Sequence, residues 1–308
     1  MNPPHVLILG SGAIGCYYGG RLAQAGWQVS LFARSDYASL AATGQVQVKS
    51  HLGDFTFTPV QVVNHASQLT HAPDYILICQ KALPQIPLVT QLQTLVQPQT
   101  KLVLLQNGVD LETPLAQAFP HHEIIGGIAF IGVSRLSPGQ IHHQIAGSIK
   151  LGSFPQGVSP ACLALAQAFV KAGVQATTTP QLQSERWKKL IWNLGFNPVS
   201  VLAQGADTHQ LLNQPEAKEL ILAVMQEGIA LANALGHAIE LGFAELQIQV
   251  TLALAPYKTS MTLDYQAGRP LELEAILGNA LRAARNIGFD APRMQTLYAL
   301  LLFCQPLR

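Results

Sequence analysis

The apolar run His5–Leu9 (HVLIL) leads directly into Gly10-Ser11-Gly12-Ala13-Ile14-Gly15, and residues 14–25 then keep helical spacing up to Gly26. A G-x-G-x-x-G loop that follows a strand and opens a helix leaves few folds open to a chain. In such a loop the first glycine permits the tight turn and the second lets backbone approach a pyrophosphate. The third lets helix and strand pack closely, while the helix N-terminus offers free N–H donors. Glycines in this pattern also serve ordinary turns, but Gln28–Phe32 supplies the second strand, and strand, loop, helix and strand together read as a dinucleotide-binding unit. Its candidate cofactor residues are Gly10, Ser11, Gly12, Ala13, Ile14 and Gly15.

The alternation continues with strands at Tyr75–Ile78 and 102–105 and a helix-compatible segment at 83–96 between them, which implies a parallel sheet with right-handed crossovers. Residues 126–152 turn to β-prone pieces around Ser137-Pro138-Gly139, as expected of an antiparallel extension, and 161–172 reads as one more covering helix. Beyond Thr177-Thr178-Thr179-Pro180 the β signal almost vanishes and helical periodicity takes over. The expected architecture is an α/β Rossmann-type domain over residues 1–180 followed by an all-α domain over 181–308.

Only 11% of the 308 residues are charged and 49% are hydrophobic, with mean hydropathy +0.24; average soluble chains carry roughly 25% charge. A membrane protein therefore has to be considered. A spanning helix needs about 20 consecutive apolar residues, and the uncharged stretches are interrupted: 151–170 contains Pro155, Gly157 and Pro160, and the stretch between Lys81 and Lys101 contains Pro84, Pro87 and Pro98. No basic region with a cleavable apolar segment opens the chain, and Cys16, Cys79, Cys162 and Cys304 lie far apart without a C-x-x-C pair. These features point to a cytoplasmic protein with reduced thiols and no metal site. A net charge of +1 without a basic block gives nucleic acid no electrostatic footprint.

The second strand ends on Arg34-Ser35, where NAD-binding sheets usually place an acid for the ribose hydroxyls. An arginine and a hydroxyl suit a 2′-phosphate, so NADP (as NADPH) is preferred, although Asp36 keeps NAD open. Two further strand ends carry Gln80-Lys81 and Gln106-Asn107-Gly108, which makes Lys81 and Asn107 candidates to face nicotinamide or substrate. In the helical half, Lys189, Asn193 and Asn197 stand at i, i+4 and i+8 on an otherwise apolar helix. Buried polar groups cost desolvation unless they meet partners, so this stripe reads as an active-site wall. Reducing a ketone needs a proton at the developing alkoxide, and a lysine ammonium can supply it. Ser260 could bind a carboxylate, and Glu272 could accept from a substrate hydroxyl or hold Lys189.

With these motifs in view, the chain resembles the ketopantoate reductase (2-dehydropantoate 2-reductase) family over essentially its whole length. The motifs are GSGAIG, Arg34, Gln80-Lys81, Gln106-Asn107-Gly108, KLIWNLGFNP from Lys189, and SMTLDYQAGRPLELEAILG from Ser260. The resemblance implies NADPH-dependent reduction of 2-dehydropantoate to pantoate, toward pantothenate and coenzyme A. It also implies a helical second domain like that of 6-phosphogluconate dehydrogenase. By the same resemblance Lys189 is similar to the family's general acid and Glu272 to its substrate-anchoring carboxylate. Asn107, Asn193, Asn197, Ser260 and Lys81 look like its substrate-contacting positions, with Lys81, Asn107 and Glu272 also beside the cofactor. The last motif departs from the family's usual pattern around Leu271 and Leu273-Glu274, which bears on substrate more than on chemistry.

Other readings stay open: a reductase of another 2-oxo acid, a 3-hydroxy-acid dehydrogenase sharing the K-x-x-x-N helix, or a non-catalytic NADP-sensing protein. The expected partner is a small-molecule 2-oxo acid. A homodimer is an expectation by fold-level analogy alone.

Overall fold

The computed structural model describes residues 3–306, which form two compact units. The first holds the residues up to Lys81, Pro87–Gln106 and Leu111–Leu182; the second holds Ala82–Ile86, Asn107–Asp110 and the chain from Gln183 onward.

In the first unit the strands are β1 (His5–Leu9), β2 (Gln28–Phe32), β3 (Val46–Ser50), β4 (Phe55–Phe57), β5 (Gln61–Val63), β6 (Tyr75–Ile78), β7 (Lys101–Leu104), β8 (Ile124–Ser137), β9 (Gln140–Ser153) and β10 (Ala176–Thr178). They form one sheet in the order β4-β3-β9-β8-β7-β6-β1-β2-β5, with β10 on β9. From β8 through β7, β6, β1 and β2 to β5 every pairing is parallel, whereas β8 and β9 form an antiparallel hairpin. The helices are α1 (Ala13–Gln24), α2 (Tyr37–Thr43), α3 (Leu88–Gln93), α4 (Glu112–Ala118) and α5 (Pro160–Lys171).

The continuous apolar run of β1 is explained by burial on both faces. Val6 and Ile8 enter one core with Leu77, Val103 and Phe169, while Leu7 and Leu9 enter the opposite core with Ile76, Ile78 and Leu104. Two expectations change in detail. Of residues 83–96 only Leu88–Gln93 is helical, because Pro84 and Pro87 lack N–H donors and bias the residues before them toward extended backbone. The β-prone pieces of 126–152 are two continuous 14-residue strands with register shifts along them. Strands β3, β4 and β5 had no reading in the sequence.

The second unit is helical among the described residues. Its helices are α6 (Leu182–Leu202, whose first residue belongs to the first unit), α7 (Thr208–Asn213), α8 (Pro215–Ala234), α9 (Phe243–Ala253), α10 (Ser260–Gln266), α11 (Asn279–Asn286) and α12 (Pro292–Leu302). A π-helical turn, Glu274–Gly278, leads into α11. Leu190, Ile191 and Leu194 of α6 share a core with Ile221, Val224 and Met225 of α8 and with Met294 and Leu301 of α12. Glycines set the α6/α8 spacing: a Cβ at Gly195 would lie 2.9 Å from Met225 Cγ, and one at Gly228 would lie 2.9 Å from Leu194 Cδ1. Among the described residues no helix is long and apolar enough to cross a membrane, and no cluster of His, Cys, Asp or Glu could hold a metal ion.

Candidate functional site

In the first unit the glycine loop leaves β1 beside β6, where the strand order reverses direction, the place at which open α/β sheets bind ligands. Gly10 has φ +107, and a Cβ there would lie 2.5 Å from the Gln80 amide nitrogen. A Cβ at Gly15 would collide with the Gly10 carbonyl and with Ile8, so this glycine lets α1 sit close on β1. At Gly12 nothing lies within 4 Å of the missing Cβ, which leaves open space against the loop. Ser11 is buried, and Ala13 and Ile14 begin α1 half-buried.

This loop borders a cavity of about 140 Å³ lined by Gly10, Ser11, Gly12, Phe32, Arg34, Ser35, Asp36, Gln80, Gln91 and Arg135. Two features suit a polar, phosphate-bearing ligand. Arg34 is exposed, and Gln80 Nε2 is buried without a hydrogen-bond partner, a donor whose desolvation costs free energy until something accepts from it. The glycine cradle, the cation and the orphaned donor fit a dinucleotide. Gln80 is itself held in place, since its carbonyl accepts from Gln106 Nε2 at 2.8 Å. Lys81 follows it, half-buried.

In the second unit the short loop Asn107–Asp110 is pinned from two sides. Gly108 has φ +116, and a Cβ on it would overlap the Ala275 carbonyl of the π-helical turn. Asn279, at the start of α11, donates from Nδ2 to the Val109 carbonyl at 2.7 Å. Asn107 is thereby presented to α6, where its Oδ1 accepts from Lys189 Nζ at 2.7 Å. Desolvation is the main cause that lowers the Lys189 pKa to about 8; the Arg186 guanidinium lowers it further and the Glu272 carboxylate opposes them. Glu272 is half-buried, and its Oε1 accepts from the Ala82 N–H at 2.8 Å.

Asn193 and Asn197 follow Lys189 at one and two turns, and both are buried. Asn197 is 1% exposed, yet neither Oδ1 nor Nδ2 has a partner. Ser260 is exposed at the first position of α10; the helix cap is its neighbour Thr259, which accepts from the Thr262 N–H. The second unit thus joins Lys189 to Asn107, keeps Glu272 within electrostatic reach of Lys189, and aligns the two asparagines. Such a set can hold a polar substrate and transfer a proton near neutral pH.

Sequence reasoning does not single out Phe32, Asp36, Gln80, Gln91 or Arg135 of the cavity lining as site positions, and three of these are polar groups beside the loop or Arg34. Gln80 had a usable signal, its place at the carboxyl end of β6 next to β1. In the sequence Asp36 argues only for NAD. Arg135 had no local signal, because it lies on the arm of a hairpin 99 residues from the aspartate it pairs with.

The family model described as Ketopantoate reductase PanE/ApbA matches residues 6–156, and its C-terminal counterpart matches residues 181–305. A curated 2-dehydropantoate 2-reductase of Nostoc sp. is 34% identical over 98% of this chain and 96% of its own length. Among solved structures, 2-dehydropantoate 2-reductase from Methylococcus capsulatus is 43% identical with TM-score 0.90, covering 97% of this chain and 96% of that one. The same enzyme from Geobacter metallireducens is 35% identical with TM-score 0.91, covering 98% of this chain and all of that one.

Proposed function

The chain belongs to the ketopantoate reductase PanE/ApbA family of oxidoreductases, and from that membership we propose that it reduces 2-dehydropantoate to pantoate with NADPH, toward pantothenate and coenzyme A. Residues 1–180 are then the cofactor domain and 181–308 the substrate domain. The observation that carries the reading is a lysine of lowered pKa, Lys189, hydrogen-bonded to Asn107 on a helix whose next two turns bury asparagines.

NADPH, when bound, supplies the hydride. The N–H groups of the Gly10–Gly15 loop and the first turn of α1 would hold its pyrophosphate, and Arg34 would hold the 2′-phosphate, joined by Ser35 once its hydroxyl turns from Asp36 Oδ1. Lys81, Asn107 and Glu272 complete the proposed cofactor contacts.

The proton comes from Lys189 Nζ and goes to the carbonyl oxygen of the 2-oxo acid as negative charge develops there. At about 8 its pKa leaves Lys189 mostly protonated at neutral pH while making it a better donor than an ordinary lysine near 10.5. Asn107 Oδ1 fixes the direction of the ammonium. The buried, unpartnered amide of Asn197, with Asn193, Ser260 and Lys81, would meet the carboxylate or hydroxyl of a substrate that reaches it, and Glu272 would anchor the substrate hydroxyl. Neutral amides do this without adding a second charge to compete with Lys189.

The reading is tested by following NADPH oxidation with purified protein and a panel of 2-oxo acids. Turnover with 2-dehydropantoate above the rest is expected. Faster turnover of a different 2-oxo acid would reassign the substrate, and tight NADPH binding without turnover on any member would favour a sensor.

A further inference from the structure

Asp36 stands two residues past Arg34, close to the place where an NAD-binding sheet uses an acid to accept from the ribose hydroxyls. Its carboxylate is not available for that. Arg135 Nη1 pairs with Oδ2, and Ser35 Oγ donates to Oδ1 at 3.0 Å. The Asp36 side chain is only 8% exposed, whereas Arg135 is 40% exposed and lines the same cavity as Gly10, Gly12 and Arg34.

Arg135 reaches this position from β8, at a register shift between Arg135 and Ser137 in the hairpin. Irregularities of this kind re-aim side chains. A guanidinium has five N–H donors in a planar fork, so the contact through Nη1 leaves others for an anion. Arg34, Arg135 and Asp36 together carry one net positive charge. Without Arg135 the sum would be zero, with a bare carboxylate beside whatever anion Arg34 binds.

We propose that Arg135 is a cofactor-specificity residue, which caps Asp36 and adds a second guanidinium to the seat for the phosphate on the adenosine ribose. This rests on the reading that the cavity holds a dinucleotide. The preference for NADPH over NADH then depends on the Arg135–Asp36 pair as well as on Arg34. A repulsive carboxylate is silenced, and the hydroxyl acceptor that NADH would use is withdrawn in the same contact.

The test is direct titration of NADPH and NADH, without substrate, by nicotinamide fluorescence on the full chain and on R135L, D36N and R135L/D36N. In R135L the dissociation constant for NADPH should rise about 10- to 100-fold, the scale of losing a charge-assisted contact, while that for NADH stays level or falls. Adding D36N to R135L should recover part of the NADPH affinity. A purely structural clasp between β8 and the Asp36 loop predicts equal weakening of both dinucleotides, and that result, or no change in the ratio, overturns the proposal. If R135L does not fold, R135L/D36N, which leaves no uncapped acid, carries the same ratio measurement. A wild-type chain that binds both dinucleotides equally refutes the specificity role and leaves the cofactor reading standing; one that binds neither refutes both.

Discussion

Lys189 Nζ donates to Asn107 Oδ1 over 2.7 Å, joining α6 to a four-residue loop 82 positions earlier in the chain. The bond satisfies one donor of a desolvated ammonium and points the group. It also ties the protonation of Lys189 to the loop, because an acceptor for the ammonium favours the charged form.

The first prediction concerns pH. A proton donor must be protonated, and the Lys189 pKa is lowered to about 8, so kcat for reduction should be level below that value and fall about tenfold per pH unit above it. Lys189→Ala should lower kcat by about 10²-fold or more and remove this alkaline limb. Asn107→Ala withdraws the acceptor from the ammonium, so the limb should move to lower pH. Rate profiles from pH 6 to 10 on the three proteins measure this; an unmoved limb in Asn107→Ala would separate the hydrogen bond from the acid.

Asn197 gives a prediction of opposite sign for stability and activity. Its two amide atoms are buried without partners, and an unsatisfied buried polar group costs about 1–3 kcal/mol. Asn197→Leu should therefore raise unfolding free energy by an amount of that order in denaturant titration, while KM for the 2-oxo acid rises. A variant that is less stable would mean that the amide is held by water or by packing specific to its shape.

Arg34 is exposed beside the glycine loop and lines the cavity. Arg34→Ala should raise KM for NADPH about 10- to 100-fold and leave KM for NADH nearly unchanged, since only one of the two carries the phosphate. Equal changes in both constants would remove Arg34 from the phosphate role.

Gly108 couples backbone geometry to the site. Its φ of +116 and its contact with the Ala275 backbone both oppose a side chain. Gly108→Ala should cost about 2–4 kcal/mol from the unfavourable backbone angle and overpacking together. It should also lower kcat, because Asn107 moves with its neighbour. Unfolding titrations and kinetics on the same preparation would check both, and a stable variant with full kcat would show that the loop is not the constraint on Asn107.

How much was legible differs from element to element. β1, the glycine loop and α1 are local features: a short apolar run buried on both faces, three glycines at fixed spacing and a helical period need only neighbours in the chain. The polar stripe of α6 is legible for the same reason, since 3.6 residues per turn aligns positions 189, 193 and 197. The segment 83–96 shows where periodicity misleads, because the backbone effect of two prolines outweighs an apolar pattern.

By itself, then, the sequence determined a cofactor-binding class of sheet, a helical second half, and which few ionisable and amide side chains of a charge-poor chain are candidates for the chemistry. Only the tertiary structure decided that Asn107 is the acceptor for Lys189, that desolvation and Arg186 lower that lysine's pKa, and that Arg135 pairs with Asp36. Each of these joins side chains through space or depends on the loss of water around a group. A period of two or 3.6 residues reports the face on which a side chain lies and says nothing of the distant residue that will meet it there.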